Sequence, residues 1–377
     1  MSDPATVDVV ILGAGMAGAS LAYHLAGRRS VVILEQELAP GFHSTGRSAA
    51  IFTETYGPAV IRALTRGSRA FLTTPPTGFA DHALIGPRGA LAIALPEKRA
   101  TLDAFFEMGK AHGAVERFGV AETLSMVPVI KPEYADGAVY EPGALDMDVN
   151  GLHQGYLKGA KAGGVELRCE AAPRAIRKVG DLWELELASG ILRTRVLVNA
   201  AGAWGDKVAE LAGIATVGLI PKRRTALLFD PPDDVKSANW PLVDEIDQEF
   251  YFKPDAGRIF GSPADETPVE PCDVQPDEYD LAVAAYRIEE ATTMPIRRLL
   301  HKWAGLRSFV ADGLPVVGFE AAAPGFFWLV GQGGYGIQTA DGMARLSAAL
   351  ILGEAVPGDL IVEGVDPAEL TPARFRG

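Results

Sequence analysis

Three glycines and one acidic residue near the start of the chain stand at a characteristic spacing. The glycines are Gly13, Gly15 and Gly18, and Glu35 follows the first of them by 22 residues. In this arrangement the first glycine permits a tight turn, the second lets backbone approach a pyrophosphate, and the third lets a helix pack closely against a strand. A carboxylate at the position of Glu35 suits a ribose hydroxyl pair and would repel a 2′-phosphate. The spacing therefore predicts a dinucleotide site.

The residues around these four have the pattern of a strand, a turn, a helix and a second strand. Residues 7–12 form an almost wholly apolar run, which is typical of a parallel strand buried on both faces, and residues 31–34 form the next strand. A helix that begins after the glycine turn would direct free N–H groups and a partial positive charge at the phosphates. An ordinary βαβ unit with a tight turn is the alternative interpretation.

Composition limits the class of protein. The chain has 377 residues, which is enough for two domains, and its net charge of −13 argues against nucleic acid or an anionic membrane as the main partner. Cys169 and Cys272 give neither a disulfide framework nor a metal-ligand spacing, so we expect a reducing, cytoplasmic compartment and no metal site. Residues 9–27 carry no formal charge, but their four glycines and the acids ahead of them argue against a transmembrane segment.

Three further segments combine apolar strands with small residues. Residues 38–50 are small, polar and rich in glycine and then turn helical, which predicts another helix N-terminus, with a capped loop as the alternative. A buried strand at 195–199 runs into Ala-Ala-Gly, and a strand at 326–330 runs into a glycine loop and a helix that ends near residue 352. Residues 255–257 predict a hairpin turn between two strands, and residues 278–291 predict an amphipathic helix. The chain thus leaves a dinucleotide domain and returns to it, with other elements inserted between.

Five motifs, in this order, make the sequence resemble a known family. They are GAGMAG at 13–18, HSTGRSAA at 43–50, NAAGAW at 199–204, WAGLRS at 303–308 and GGYGIQT at 333–339. Together they resemble the glycine oxidase/D-amino-acid oxidase (DAO) family of FAD-dependent oxidoreductases. The sequence looks closest to the bacterial D-arginine dehydrogenase-like branch of that family.

The resemblance implies an α/β fold of the mixed α+β kind. Its Rossmann-like FAD-binding domain, of glutathione-reductase type, would comprise residues 1–83, 140–218 and 303–377. The inserted substrate domain, built on a mixed β-sheet, would comprise residues 84–139 and 219–302. The cofactor implied is non-covalently bound FAD, held by Gly13, Gly15, Met16, Ala17, Gly18, Glu35, Gln36, Ser44, Thr45, Arg47, Ser48, Ala49, Ala50, Gly202, Trp204, Gly305, Gly333, Gly334, Tyr335, Gly336, Ile337 and Gln338.

The resemblance also assigns residues to the substrate. Arg224 and Arg307 match the family's arginines, whose planar guanidinium groups suit a carboxylate better than lysine does. The strand pattern alone does not separate Arg224 from Arg223, because each shares a face with apolar residues. The same likeness places Tyr56 and Tyr251 beside the substrate and counts Gln338, over the flavin ring, with the catalytic residues. Tyr251 stands between Phe250 and Phe252, so strand alternation puts its hydroxyl on the face opposite those two rings, with a buried core tyrosine as the alternative. No Ser/His/Asp or Cys/His constellation competes with these residues.

The resemblance implies a dehydrogenase of D-amino acids that passes a hydride from Cα to flavin N5 and yields a 2-oxo acid and ammonia. Residues 86–92 contain no acid, although a branch member that prefers cationic side chains would be expected to place one there. We therefore expect neutral or apolar D-amino acids rather than D-arginine, and a quinone or carrier protein as electron acceptor. Oxidation of N-methyl amino acids or 2-hydroxy acids is the alternative, and a non-catalytic flavoprotein is a third hypothesis.

Overall fold

The computed structural model describes residues 5–111, 114–135, 137–233 and 235–376. Its strands are β1 Ala5–Leu12, β2 Val31–Leu34, β3 Ile51–Phe52, β4 Ile85–Pro87, β5 Ala90–Ile93, β6 Glu116–Phe118, β7 Ala138–Glu141, β8 Leu145–Met147, β9 Glu166–Arg168, β10 Ala175–Val179, β11 Leu182–Leu187, β12 Gly190–Asn199, β13 Ile220–Phe229, β14 Leu242–Glu245, β15 Tyr251–Asp255, β16 Arg258–Ser262, β17 His301–Phe309, β18 Val316–Phe319 and β19 Phe326–Val330. Its α-helices are α1 Met16–Leu25, α2 Ala59–Thr73, α3 Arg99–Lys110, α4 Val120–Met126, α5 Val149–Ala162, α6 Gly205–Leu211, α7 Glu278–Ala291, α8 Ala340–Leu352 and α9 Gly358–Glu363.

The first sheet is built around β1, which lies parallel to β2 on one side and to β12 on the other. β9 extends the sheet beyond β2, β19 pairs in parallel with the end of β12, and β10, β11 and β18 add antiparallel strands. Apolar side chains of β1 and of α1, α2 and α8 share one core, because both faces of a parallel strand are covered. This arrangement confirms the predicted βαβ unit and the mixed α/β fold.

The first glycine turn has no room for side chains. Gly13 has a φ of +104°, and a Cβ there would lie 2.5 Å from the carbonyl oxygen of Ala200 on the neighbouring strand. A Cβ on Gly18 would lie 2.0 Å from the Gly13 carbonyl oxygen, so Gly18 brings α1 against the turn. Both glycines therefore do what their spacing predicts, a tight turn and close helix packing.

The second sheet has eight strands among the described residues, in the order β17-β13-β16-β15-β14-β5-β7-β6. Alternate residues of its strands, such as Leu227, Val243 and Phe252, face a core that includes α7. The opposite residues face a cavity, so one sheet surface is structural and the other is available for ligands. The predicted hairpin at 255–257 joins β15 to β16 and has positive φ at both Ala256 and Gly257, as a type I′ turn requires.

Two expectations differ from the structure. The boundary predicted at residue 303 falls inside β17, which pairs with β13 along its whole length, so residues 303–309 belong to the second sheet. Residues 44–50 do not form the predicted helix; they form turns that lead into β3. The carbonyl of Arg47 accepts a hydrogen bond from the indole of Trp303 at 3.0 Å. In a helix this carbonyl would instead accept a backbone N–H of the next turn, so the contact with β17 replaces a helical hydrogen bond.

Within the described residues, no helix has both the length and the apolar composition needed to cross a membrane.

Candidate active site

A cavity of about 500 Å³ runs from the first glycine turn to the inner face of the second sheet. Gly13, Gly15 and Glu35 line one end, and Arg224 and Arg307 line the other. Since β1 and β2 end at the same edge of the first sheet, their terminal residues meet at the cavity wall, as the carboxyl ends of parallel strands do in dinucleotide folds.

The acid at the end of β2 is held rigidly. One carboxylate oxygen of Glu35 accepts the backbone N–H of Ala14 at 2.8 Å, and the other accepts that of Glu37 at 3.0 Å. The hydroxyl of Thr45 accepts the N–H of Met16 at 2.9 Å, which ties the 41–48 turn to the start of α1. The first glycine turn, Glu35 and the 41–48 turn are therefore joined by hydrogen bonds into one rigid wall of the cavity.

Two buried polar atoms of cavity-lining residues have no hydrogen-bond partner among the described residues. They are Nδ1 of His43 and Oγ1 of Thr53. Buried polar groups are normally paired, so these two atoms indicate a polar ligand in the cavity. With the glycine turn and Glu35, they fit a flavin dinucleotide, whose pyrophosphate, ribose and ring edge supply hydrogen-bonding groups along its whole length.

The predicted cofactor residues line this cavity, apart from Gly18 and Tyr335. The ring of Tyr335 packs at 5.0 Å from that of Tyr56 and 6.3 Å from that of Phe309, and burial raises its pKa to about 12. The Tyr335 ring therefore packs against the Tyr56 ring and helps to hold it in place. The guanidinium of Arg47 has a structural role, because it donates hydrogen bonds to the carbonyls of Val274 at 3.0 Å and Ala304 at 3.2 Å.

Gln338 lines the cavity, but its side chain is already engaged. Its amide oxygen accepts the N–H of Thr53 at 3.3 Å, and its amide nitrogen donates to the hydroxyl of Thr65 at 2.9 Å. The residue is 3% exposed. The structure therefore gives the Gln338 side chain a positioning role between α8, α2 and the chain after β3, whereas the sequence placed it beside the substrate.

Arg307 and Tyr56 meet at the other end of the cavity. One guanidinium nitrogen of Arg307 lies 3.2 Å from the hydroxyl of Tyr56. A Cβ on Gly334 would lie 2.9 Å from the same nitrogen and 3.0 Å from that hydroxyl, so the glycine loop comes directly against the pair. Burial opposes the charge on Arg307, but the oxygens of Tyr56, Tyr251 and Glu266 outweigh it and raise its pKa, so the guanidinium stays protonated.

Arg224, and not Arg223, faces the cavity. Arg223 binds Asp280 of α7 at 2.7 Å on the other side of the sheet. Arg224 is 8% exposed and already donates to the carbonyl of Asp265 at 2.9 Å and to the carboxylate of Glu266 at 3.0 Å. Part of its hydrogen-bonding capacity is therefore used by the protein, whereas Arg307 keeps most of its donors for a ligand.

Tyr251 lies among these cations. Burial raises the pKa of its phenol, but the guanidinium groups of Arg307 and Arg224, with hydrogen bonds to Ser262 and Arg224, outweigh burial and lower the pKa overall. The predicted alternation in β15 is confirmed, because Tyr251 faces the cavity while Phe250 and Phe252 face the core.

The structure also reveals a site residue that the sequence did not indicate. β14 pairs in parallel with β5, which sets Asp244 directly opposite Ala92, and both residues line the cavity. The absence of an acid from residues 86–92 was the reason to expect neutral substrates, but a distant part of the chain supplies one beside that very strand. The expectation of a neutral substrate side chain therefore loses this support. No local signal marks Asp244, because its position depends on pairing between strands about 150 residues apart.

Asp244 should destabilise the protein at neutral and alkaline pH. Burial, with the nearby charge of Glu245, raises its pKa from 3.8 to about 7 against the opposing effect of Arg224 and Arg307. Between these two pKa values the folded state binds a proton that the unfolded state does not, so this group's contribution to stability falls as pH rises towards 7. We expect Asp244→Asn to raise the free energy of unfolding by about 1 to 2 kcal/mol at pH 8 and by much less at pH 5. Urea unfolding at both pH values measures this, and an equal effect at both would contradict it.

Comparison with known proteins adds the family context. A family model described as FAD dependent oxidoreductase (DAO) matches residues 8–350. Mitochondrial dimethylglycine dehydrogenase from Rattus norvegicus is 26% identical over 395 residues, with 98% of this chain and 45% of that protein aligned. Mitochondrial sarcosine dehydrogenase from Mus musculus is 25% identical over 366 residues, with 91% of this chain and 39% of that protein aligned. This chain therefore spans less than half the length of these curated relatives.

Among solved structures, glycine oxidase from Geobacillus kaustophilus superimposes with a TM-score of 0.85 and 21% identity, over 99% of this chain and 100% of that chain. At that identity the likeness shows a shared fold.

Proposed function

This chain belongs to the DAO family of FAD-dependent oxidoreductases, and from that premise we propose that it oxidises a carbon–nitrogen bond of an N-methyl amino acid. FAD is its cofactor. Glu35 and the first glycine turn would hold the adenosine diphosphate part, and Thr45, Ser48, Gly305 and the 333–338 loop would hold the flavin part. Bound FAD supplies the chemistry of a two-electron acceptor, taking a hydride from carbon beside nitrogen.

The observation that carries the proposal is the pairing of Arg307 with Tyr56 against Gly334. It puts a buried fork of N–H donors and a hydroxyl at the end of the cavity where the glycine loop closes the flavin region. An amino-acid carboxylate bound there would be oriented by two parallel hydrogen bonds, and its α-carbon and nitrogen would lie next to the loop. Arg224 and Tyr251 extend the same positive surface.

The aligned relatives favour an N-methyl donor over a primary amine, and the cavity wall is compatible with one. The relatives that align over nearly all of this chain are named for dimethylglycine and sarcosine, both N-methyl amino acids. The cavity wall beyond Tyr251 is largely apolar, with Ala90, Ala92, Val139 and Leu242, and such a wall accepts methyl groups at little cost. The D-amino-acid dehydrogenase predicted from sequence would use the same arginines and would place a neutral or apolar side chain against this wall, so the names of the aligned relatives carry the choice between the two donors.

Anaerobic bleaching of the flavin tests the proposal. We expect N,N-dimethylglycine, sarcosine or N-methylalanine to reduce the flavin at least tenfold faster than glycine or either enantiomer of alanine at equal concentration. Faster reduction by D-alanine than by its N-methyl form would restore the D-amino-acid prediction. Faster reduction by lactate would identify a hydroxy-acid enzyme. The products show which bond is oxidised, because iminium hydrolysis gives formaldehyde from an N-methyl group and a 2-oxo acid or glyoxylate from Cα.

For electron transfer we propose a quinone or carrier protein as acceptor, tested by reoxidation of the reduced protein with a soluble quinone and with oxygen. The cytoplasmic compartment stays a prediction.

A further inference from the structure

Asp244 differs from the other acids of the cavity wall. Glu35 accepts two backbone hydrogen bonds, and Glu141 accepts the N–H of Glu54 at 2.7 Å and the hydroxyl of Thr55. The Asp244 carboxylate has no hydrogen-bond or ion-pair partner among the described residues, although the residue is half-buried in the cavity wall. Since a buried carboxylate without a partner is costly, a ligand group is the expected partner.

The order of charges across the sheet indicates which ligand group that is. Cavity-facing residues run from Arg307 on β17 and Arg224 on β13, through Tyr251 on β15, to Asp244 on β14. Asp244 and Tyr251 are direct cross-strand neighbours in the antiparallel pair. The site therefore has cations at one end and a carboxylate at the other, which is the complement of an amino-acid zwitterion lying across the strands.

Space for the ligand is available beside Asp244. Its neighbour on β5 is Ala92, and Ala90 lies two residues earlier on the same face, so β5 presents only small side chains to the cavity beside Asp244. A substituted ammonium can bring its N–H to the carboxylate there while its methyl groups contact these alanines.

We propose that Asp244 binds the ammonium nitrogen of the substrate and accepts its proton before oxidation. The inference rests on the proposed function and deepens it by assigning the amine contact. The proton moves from nitrogen to a carboxylate oxygen, which leaves a lone pair on nitrogen. That lone pair forms the C=N bond when the adjacent carbon loses its hydride, and the proton on Asp244 afterwards passes to water.

The electrostatic surroundings suit this role. Burial has the largest effect on Asp244 and raises its pKa to about 7. Among nearby charges, Glu245 of its own strand also raises the pKa, whereas Arg224 on β13 and Arg307 on β17 lower it. A base whose pKa lies near the working pH is effective in proton transfer, because both forms are populated. Tyr251 is the next titratable group along the sheet, and its lowered pKa reflects the same two arginines.

Binding of two isosteric carboxylates to the holoenzyme tests the amine contact. Trimethylglycine carries a permanent ammonium, and 3,3-dimethylbutanoate replaces that nitrogen by carbon with the same shape. We expect the native protein to bind trimethylglycine about tenfold or more tightly than the carbon analogue, and Asp244→Asn to abolish the preference. Calorimetry at pH 8 measures both affinities without turnover. Asp247→Asn, which removes an acid that pairs with Lys98 outside the cavity, is the matched control and should keep the preference.

The possible results distinguish a failure of the Asp244 role from a failure of the proposed function. Equal binding of both ligands by the native protein, or an unchanged preference in Asp244→Asn, would overturn the role of Asp244. Loss of affinity in the variant only for amino acids with a second, side-chain ammonium would overturn it as well, because Asp244 would then serve side-chain recognition. If neither carboxylate binds, the proposed function itself fails. If primary amino acids or lactate reduce the native flavin faster, that function fails independently of Asp244.

The pH profile separates proton acceptance from simple positioning. With N,N-dimethylglycine as substrate, kcat/KM of the native protein should rise with pH through about 7, as Asp244 loses its proton. In Asp244→Asn we expect the rise to move up by at least one pH unit, towards the pKa of the substrate amine. A rise at the same pH in both proteins would show that Asp244 is not the proton acceptor.

Discussion

Replacing Arg307 with methionine is expected to lower kcat/KM for an N-methyl amino acid about 1,000-fold while FAD stays bound. Methionine keeps an unbranched stem but removes the guanidinium fork that meets Tyr56 at 3.2 Å. A substrate carboxylate would lose its charged, hydrogen-bonded partner, and such a loss costs about 2 to 5 kcal/mol, which spans this range in rate. Stopped-flow reduction of the flavin measures the effect, and the absorbance ratio of flavin to protein measures cofactor content.

Two variants make the result specific. Arg307→Lys keeps the charge but not the planar fork, so it should recover only part of the rate. Arg223→Met removes an arginine from the opposite face of the sheet, where it binds Asp280, and should leave the rate within about threefold of the native value. Unchanged flavin reduction in Arg307→Met would contradict the proposed function and support a non-catalytic flavoprotein.

Arg224→Met is expected to have a smaller effect than Arg307→Met. The Arg224 side chain already binds the carbonyl of Asp265 and the carboxylate of Glu266, so its loss would first disturb the 265–266 segment. The two arginines therefore differ in their contacts, although the resemblance assigned both of them to the substrate. Arg307 bonds only to Tyr56 among the described residues, whereas Arg224 connects the cavity to the loop after β16.

Local patterns predicted the parts of the fold whose contacts are local. The βαβ unit around Gly13, the hairpin at 255–257 and the helix at 278–291 depend on residues within a few turns of one another, and the structure confirms them. The 44–50 segment has small and capping residues but no helix, because Arg47 bonds to β17 from 256 residues away. In this segment a long-range hydrogen bond outweighs the local propensity to form a helix.

The candidate site was predictable only where a motif carried it. Arg307 and Gly334 belong to motifs of the family, and the structure brings them together with Tyr56. Asp244 lies in an unremarkable stretch between two turns and enters the site through the pairing of β14 with β5. Such a register is set by the packing of a whole sheet, so local patterns in the sequence do not reveal it.

Substituting alanine for Gly13 is expected to weaken FAD binding at least 100-fold. The residue has a φ of +104°, which disfavours any side chain, and its Cβ would lie 2.5 Å from the carbonyl oxygen of Ala200. Neither backbone can yield without moving β1 away from β12 at the point where both strands reach the cavity. The turn would then open, and the N–H groups at the start of α1 would no longer be aimed at the pyrophosphate. Titration of the apoprotein with FAD, followed by quenching of flavin fluorescence, measures the dissociation constant.

The matched control separates backbone strain from close approach. Gly27 has a φ of +71° in the turn between α1 and β2, and a Cβ there would have no heavy atom within 4 Å. Gly27→Ala therefore carries the strain of a positive φ, about 1 kcal/mol, without the clash, and should lower stability while leaving the FAD dissociation constant within about threefold. Because Gly13→Ala could unfold the protein, its near-ultraviolet circular dichroism must match that of Gly27→Ala before the affinities are compared. A folded Gly13→Ala protein that binds FAD as well as the control would show that the pyrophosphate does not lie against this turn.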